Sequence, residues 1–209
     1  MIVTMKSTHL VDLKKLQYTN PQTQETIFGF SQEWYKTKWQ RLSGCGPTSA
    51  SSLIYYACYN ETEMDQNKAL ELMEVVWNYV TPGMGGVYKR SMFTNGLKRY
   101  LNKHDIQAEI ESIEITKNKK TRMSLIDTVN FIENGLSKNA LVAFLNLDNG
   151  DEKKLDEWHW VVISGIDVHA QHEQVFANII DDGKLFAIDL NLWLNTTKRG
   201  GAFVYFTLT

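Results

Sequence analysis

The amino-acid sequence predicts an α+β protein, because helical and strand patterns occupy different parts of the chain. In residues 63–79, apolar side chains recur at the spacing of one helix face. In the C-terminal quarter, four short runs rich in β-branched and aromatic residues are separated by turn-type residues. No repeat or proline-rich linker divides the 209 residues. We therefore expect one domain, 1–209, with residues 1–38 as a leading segment packed on it.

The predicted elements follow in order along the chain. Helices are expected at residues 46–59, 63–79 and 91–106, and a glycine-rich loop that contains Pro82 is expected at 81–90. A strand at 107–115, a helix at 124–137 and a strand at 140–147 come next. A polar loop with an Asn-Gly turn signal then leads to strands at 158–166, 174–181, 184–190 and 202–208. The sequence therefore predicts mainly helices first and a mostly antiparallel sheet afterwards.

Composition limits the function classes. Apolar residues make up 43% of the chain and charged residues 22%, with a net charge of -2, so neither a nucleic-acid partner nor a membrane surface is indicated. Two cysteines do not form a disulfide framework, and a reducing compartment is favoured. The first residues lack the pattern of a secretory signal, and no stretch approaches the roughly 18 apolar residues of a membrane span. We expect a cytoplasmic protein.

Cys45 lies in the stretch Ser-Gly-Cys-Gly-Pro-Thr-Ser-Ala, directly before an apolar helical pattern. Proline is favoured in the first turn of a helix, so Pro47 predicts a helix start at residues 45–47. The unpaired N–H groups and the positive end of the helix dipole would then favour the thiolate form of the cysteine. Gly44 and Gly46 would leave room for a substrate carbonyl. The alternative is an inert buried cysteine, which is the favoured interpretation for Cys58.

His159 is the best candidate for a base that activates this thiol. It interrupts the apolar run Trp-His-Trp-Val-Val-Ile, where an ionisable side chain is unfavourable unless it has a partner. The other histidines lie in polar segments, where surface positions are expected. A cysteine with a distant histidine is the pattern of a cysteine nucleophile and its base. A core histidine with its hydrogen bonds satisfied is the alternative.

Three motifs together resemble the papain-like cysteine peptidases, and most closely their bacterial branch related to the double-glycine, bacteriocin-processing peptidases. They are Gln-Arg-Leu-Ser-Gly-Cys-Gly-Pro-Thr-Ser-Ala at 40–50, Trp-His-Trp-Val-Val-Ile-Ser-Gly-Ile-Asp at 158–167 and Ile-Ile-Asp-Asp-Gly at 179–183. The resemblance implies a papain-like fold, in which a helix that begins at the nucleophile packs on the sheet. It spans most of the chain but depends on these short motifs.

The resemblance also implies roles for individual residues. Cys45 matches the nucleophile, and His159 matches the general base that later acts as an acid. Gln40 matches the glutamine of the oxyanion hole, although it stands one residue closer to the cysteine than in the family pattern, and a loop amide without a catalytic role is the alternative. Asp181 or Asp182 would orient the imidazole. Asp181 is favoured, because Asp182-Gly183 is also a good two-residue hairpin turn.

The resemblance therefore predicts a cysteine peptidase or a related thiol acyl hydrolase with a peptide or amide substrate. Papain-like folds host several acyl-transfer reactions, so a thiol acyltransferase or transglutaminase-type enzyme is an alternative. A catalytically silent binding module is another. Neither a metal nor a cofactor is expected, because Cys45 and His159 would supply only two ligands and a structural zinc ion needs four.

Overall fold

The computed structural model describes residues 6–8, 11–20, 24–59, 64–169 and 174–209. The helices in these ranges are α1 Lys38–Ser43, α2 Cys45–Cys58, α3 Gln66–Trp77, α4 Arg90–Lys103, α5 Leu125–Ser137 and α6 Leu190–Thr196. The strands are β1 Lys6–Thr8, β2 Gln17–Thr19, β3 Thr26–Phe28, β4 Ala108–Ile115, β5 Val142–Asn146, β6 His159–His169, β7 Gln174–Asp181, β8 Lys184–Asp189 and β9 Gly201–Leu208. Short 3-10 helices lie at Leu13–Leu16 and Gln32–Trp34. The protein is α+β, as predicted.

One antiparallel sheet forms the centre of the described fold. Its strands lie in the order β4-β9-β5-β6-β7-β8, and β1 pairs with the distal part of β6. Strands β2 and β3 form a separate hairpin. His159, the first residue of β6, lies opposite Asn146 at one end of the sheet, and Asp181 is the last residue of the neighbouring strand β7. The topology therefore brings His159 and Asp181 to the same end.

Helices cover both faces of this sheet, because its central strands alternate buried apolar side chains between the two sides. Ala143 and Leu145 of β5 belong to the apolar cluster formed with α2, α3 and α4. Val142 and Phe144 of the same strand belong to the cluster that includes side chains of α5 and α6. Helix α2 is buried along most of its length between the sheet and α3. Burial on this scale fixes the position of its first residue, Cys45, relative to the sheet.

The sequence predicted most elements but missed the helices α1 and α6 and the short strands β1, β2 and β3. Helix α1 has six residues, and helix α6 lies almost wholly between the strands predicted at 184–190 and 202–208, where only turn-type residues were expected. Asp189 ends β8 and caps α6, since its carboxylate accepts a hydrogen bond from the N–H of Leu192. The predicted turn at Asp182-Gly183 is confirmed, with φ of 43° and 77°. Trp158, expected as a strand residue, instead precedes β6 with a φ of 62°.

Candidate active site

Helix α2 begins at Cys45, which confirms the predicted helix start. Gly44 is the N-cap residue and provides no side-chain capping bond, and its carbonyl accepts a hydrogen bond from the N–H of Thr48. Pro47 lies in the first turn, where its missing N–H leaves no helical hydrogen bond unmade. The partly buried thiol therefore lies at the positive end of a 14-residue helix.

The two glycines beside Cys45 are required by packing, and they do not open the site as the sequence suggested. A Cβ atom on Gly44 would lie 2.7 Å from the ring of Tyr35 and 2.4 Å from the carbonyl oxygen of Gln40. A Cβ atom on Gly46 would lie 2.7 Å from the side chain of Val87. Contacts this short are not tolerated by real side chains, so larger residues would push the start of α2 away from its neighbours.

The structure brings Cys45, His159 and Asp181 together. The Nε2 atom of His159 lies 2.8 Å from Oδ1 of Asp181, and the imidazole side chain is 12% exposed. Cys45 and His159 line the same small cavity, and the thiol interacts electrostatically with the imidazole. Since Nε2 faces the carboxylate, Nδ1 is the ring nitrogen left for the thiol. A thiol, an imidazole and a carboxylate thus lie together around one cavity.

These contacts change the protonation of the imidazole. Burial alone lowers the pKa of His159, but the hydrogen bond to Asp181 and the interactions with the Asp181 and Cys45 groups outweigh it and raise the pKa well above the ordinary value of 6.5. The imidazolium form is therefore favoured at neutral pH. A positive imidazolium beside a thiol is the arrangement that stabilises a thiolate.

Asp182 does not contact His159, although it directly follows Asp181. Its Oδ1 atom accepts hydrogen bonds from the hydroxyl of Ser31, at 3.0 Å, and from the backbone N–H of Gln32, at 3.1 Å. Its left-handed backbone, in the turn between β7 and β8, aims the carboxylate at the start of the 3-10 helix Gln32–Trp34. The two adjacent carboxylates therefore contact different groups.

Gln40 does not point at the cavity beside Cys45, so this expectation was wrong. Its backbone N–H donates to the Thr37 hydroxyl, and its Oε1 accepts from the Thr37 backbone N–H; these two bonds form the capping box of α1. The Oε1 atom also accepts from the Thr37 hydroxyl, and Nε2 donates to Glu74 at 2.8 Å. A Thr-x-x-Gln sequence at a helix start favours this arrangement. The physical reason for the error is thus a local helix cap that the sequence analysis did not recognise.

A small cavity lies at the contact of Cys45, His159 and Asp181, and Gln32 and Thr48 also line it. Its volume is about 10 Å³, which suits about one water-sized group. Within the described ranges, only Gln32 Oε1 and Thr48 Oγ1 are buried side-chain polar atoms without a hydrogen bond. Both therefore lack partners at the site, where a ligand could supply them.

Gln32 is the residue of this site that the sequence analysis missed. It is one of five glutamines upstream of the cysteine, and nothing in the local sequence sets it apart from the others. Its position depends on Asp182, which lies 150 residues further along the chain. Contacts between residues so far apart in sequence do not appear in local patterns.

The rest of the described chain offers no comparable group of side chains. A larger cavity of about 420 Å³ is lined by Lys15, Tyr56 and Lys138 but contains neither cysteine nor histidine. Burial raises the pKa of the Cys58 thiol, which favours its unreactive form. In the described ranges, no three His, Cys, Asp or Glu side chains come together as metal ligands, and no helix is long and apolar enough to cross a membrane.

Comparisons with known proteins assign no family to the chain. No protein-family model matches it, and a search of curated proteins finds no similar sequence. The resemblance of the three motifs to papain-like peptidases therefore stays a prediction. The contacts of Cys45, His159 and Asp181 are independent of that resemblance, because they follow from the fold.

Proposed function

We propose that this protein is a cysteine peptidase or a related thiol acyl hydrolase with a papain-like fold. One observation carries the proposal: Cys45, at the start of a buried helix, shares a small cavity with His159, whose Nε2 atom lies 2.8 Å from Asp181. Nucleophilic catalysis by cysteine commonly combines these three features, namely a thiolate-stabilising position, a neighbouring base and a group that orients the base. The fold supports the proposal, because an antiparallel sheet presents the base and the carboxylate on neighbouring strands.

The proposed reaction begins from the thiolate of Cys45 and the imidazolium of His159. The sulfur attacks the carbonyl carbon of a peptide or amide, and the carbonyl oxygen becomes an oxyanion. His159 donates its proton to the leaving nitrogen as the C–N bond breaks, which releases an amine and leaves a thioester on Cys45. His159 then removes a proton from water, the hydroxide attacks the thioester carbonyl, and the acid product leaves as the thiolate re-forms.

In this mechanism Gln32, rather than Gln40, supplies the side-chain donor of the oxyanion hole together with the backbone N–H of Cys45. The Gln32 amide lines the Cys45 cavity, and its buried oxygen makes no hydrogen bond with any described residue. Rotation of the amide by 180° exchanges this oxygen with the NH₂ group, which can donate to the oxyanion. Donors of this kind stabilise the tetrahedral intermediate because they are already in place when the charge develops.

Asp182 supports the same role by positioning Gln32. Its carboxylate holds both the Gln32 backbone N–H and the hydroxyl of Ser31. It lies next to Asp181, so the hairpin turn that carries the two aspartates connects the base to the proposed oxyanion donor. This places Asp182 outside the proton transfer, as a positioning residue.

Electrophilic probes with different acyl groups test the proposal directly. Purified protein is incubated with peptidyl vinyl sulfones and with acyl-type ketone probes, and intact and peptide mass spectrometry locates the adduct. We expect labelling of Cys45 that is lost in Cys45→Ala and strongly slowed in His159→Ala, whereas Cys58→Ala, the matched control, behaves as wild type. The acyl group that labels fastest indicates whether the substrate is a peptide or another amide.

Two results would support the alternatives instead. Labelling of Cys45 no faster than that of Cys58 favours a catalytically silent binding module. Rapid labelling, combined with release of the acyl group only when an amine is added, favours a thiol acyltransferase or transglutaminase-type enzyme. Hydrolysis in buffer alone is the result expected for a hydrolase.

A further inference from the structure

Two exposed aromatic side chains, Trp158 and Tyr88, stack on each other, and each follows or precedes a residue near the site in the chain. They are 43% and 36% exposed, and their rings are nearly parallel, with centroids 6.3 Å apart and planes at 20°. We name this pair the aromatic ledge. The guanidinium carbon of Arg199 lies 5.3 Å from the Trp158 ring centroid. Large aromatic side chains exposed together beside a nucleophile are typical of a recognition surface.

The backbone of Trp158 is held in an unfavourable conformation. Its φ of 62° is left-handed, which bulky residues rarely adopt. Glycine would occupy this position without strain. The indole N–H donates a hydrogen bond to the carbonyl of Gly85 at 2.8 Å, which fixes the ring while leaving much of it exposed. Such strain persists where surrounding structure or function requires the side chain.

The ledge lies close to the nucleophile on two independent paths. Trp158 directly precedes His159, which lines the same cavity as Cys45. Tyr88 directly follows Val87, whose side chain closes the space next to Gly46. Each residue of the ledge is therefore bonded in the chain to a residue next to the first turn of α2.

We infer that the aromatic ledge is a subsite for a large apolar, preferably aromatic, side chain next to the bond that is cleaved. This inference rests on the proposed function of Cys45. The cavity at the thiol holds only about 10 Å³, so it suits the reacting carbonyl and not a side chain. A neighbouring substrate side chain must therefore lie on the adjoining surface, where the exposed rings gain contact area and stacking from an apolar partner.

Alkylation rates with N-substituted iodoacetamides test the ledge. The Cys45 sulfur displaces iodide from the methylene carbon, forming a C–S bond, and the N-substituent reports on the surface beside it. We compare the alkylation rate of Cys45 with the N-benzyl reagent and with the N-ethyl reagent. The ratio of the same two rates at Cys58, or at free cysteine, gives the intrinsic ratio of the reagents. We expect a benzyl preference at Cys45 about fivefold above that ratio, the size of an aromatic contact.

Variants assign the preference to the ledge. Trp158→Gly, which tolerates a positive φ, should return the ratio at Cys45 to its intrinsic value, and Trp158→Phe should retain most of the preference. Tyr88→Ala provides a second variant should Trp158→Gly fold poorly, and it should reduce the preference. Trp39→Ala is the matched control, because Trp39 is a 50% exposed tryptophan on α1 that does not line the site, and it should leave the ratio unchanged.

Several outcomes would overturn the inference. The first is a benzyl-to-ethyl rate ratio at Cys45 of the wild-type protein that equals the intrinsic ratio. The second is a benzyl preference that survives in both Trp158→Gly and Tyr88→Ala. The third is an equal loss of the preference in Trp39→Ala. A fastest reaction with the N-carboxymethyl reagent, lost in Arg199→Gln, would assign the surface to a carboxylate instead. Failure of the proposed function is a separate result, because it appears as an ordinary rate with iodoacetamide itself that His159→Ala does not change.

Discussion

Replacement of Gln32 and Gln40 by alanine, one at a time, should separate a catalytic effect from a stability effect. Gln32→Ala removes the proposed oxyanion donor, and loss of one such donor lowers the rate by roughly 100- to 1000-fold. The side chain contributes a buried oxygen without a hydrogen bond, so the free energy of unfolding should change by less than about 1 kcal/mol. Gln40→Ala instead removes the α1 capping box and the contact with Glu74. This should lower the free energy of unfolding by about 1 kcal/mol.

The assay is the burst of p-nitrophenolate released when Cys45 is acylated by p-nitrophenyl acetate, combined with thermal unfolding of each variant. For a chain of this size, about 1 kcal/mol corresponds to a decrease in Tm of roughly 2–4 °C. Gln40→Ala should show this decrease with a burst rate close to that of the wild-type protein. The reasoning is refuted by the opposite result, in which Gln40→Ala abolishes the burst and Gln32→Ala leaves its rate unchanged.

Three further predictions concern the neighbouring residues. Cys45 should react with iodoacetamide well below pH 8, where an ordinary thiol is largely protonated, and His159→Ala should move this rate profile toward pH 8.5. Asp181→Asn should lower the pKa of His159. Because the folded-state pKa of His159 is raised, its contact with Asp181 stabilises the fold most below about pH 6.5, and this stabilisation is lost as the pH rises through the raised value. The loss in free energy of unfolding caused by Asp181→Asn should therefore be largest below about pH 6.5 and shrink at higher pH. Urea unfolding of both proteins across this pH range measures it. Asp182→Gly, which keeps the turn, should slow acylation of Cys45 roughly tenfold or more without changing the pH profile of the iodoacetamide reaction. Asp182→Asn retains a hydrogen-bond acceptor and should behave as the wild-type protein. A shifted pH profile in Asp182→Gly would contradict the positioning role of Asp182.

Local sequence patterns predicted the features of the fold that depend on neighbouring residues. Pro47 indicated the start of α2, because its fixed φ and missing N–H suit the first turn of a helix. Asp182-Gly183 indicated a hairpin turn, because these residues tolerate positive φ. The same turn favoured Asp181 over Asp182 as the partner of His159, and the structure places Asp181 there.

The features that the sequence did not predict depend on competing or distant contacts. Helix α6 contains an apolar run that resembles a strand, and its formation depends on the capping carboxylate of Asp189 and on burial of Trp193. Trp158 continues a strand-like run but has a left-handed backbone, with its indole bonded to Gly85 in a separate loop. Gln32 reaches the site through Asp182 in a distant turn.

Trapping of an acyl-enzyme tests the central claim, that Cys45 is a nucleophile activated by His159. The protein is mixed with an activated peptide ester, quenched in acid within seconds and digested, and mass spectrometry locates the acyl group. The account predicts a thioester on Cys45 that disappears in buffer, that is absent from Cys45→Ala, and that forms much more slowly in His159→Ala. Equal acylation of Cys45 and Cys58, or a Cys45 adduct that forms at the same rate in His159→Ala, would contradict it.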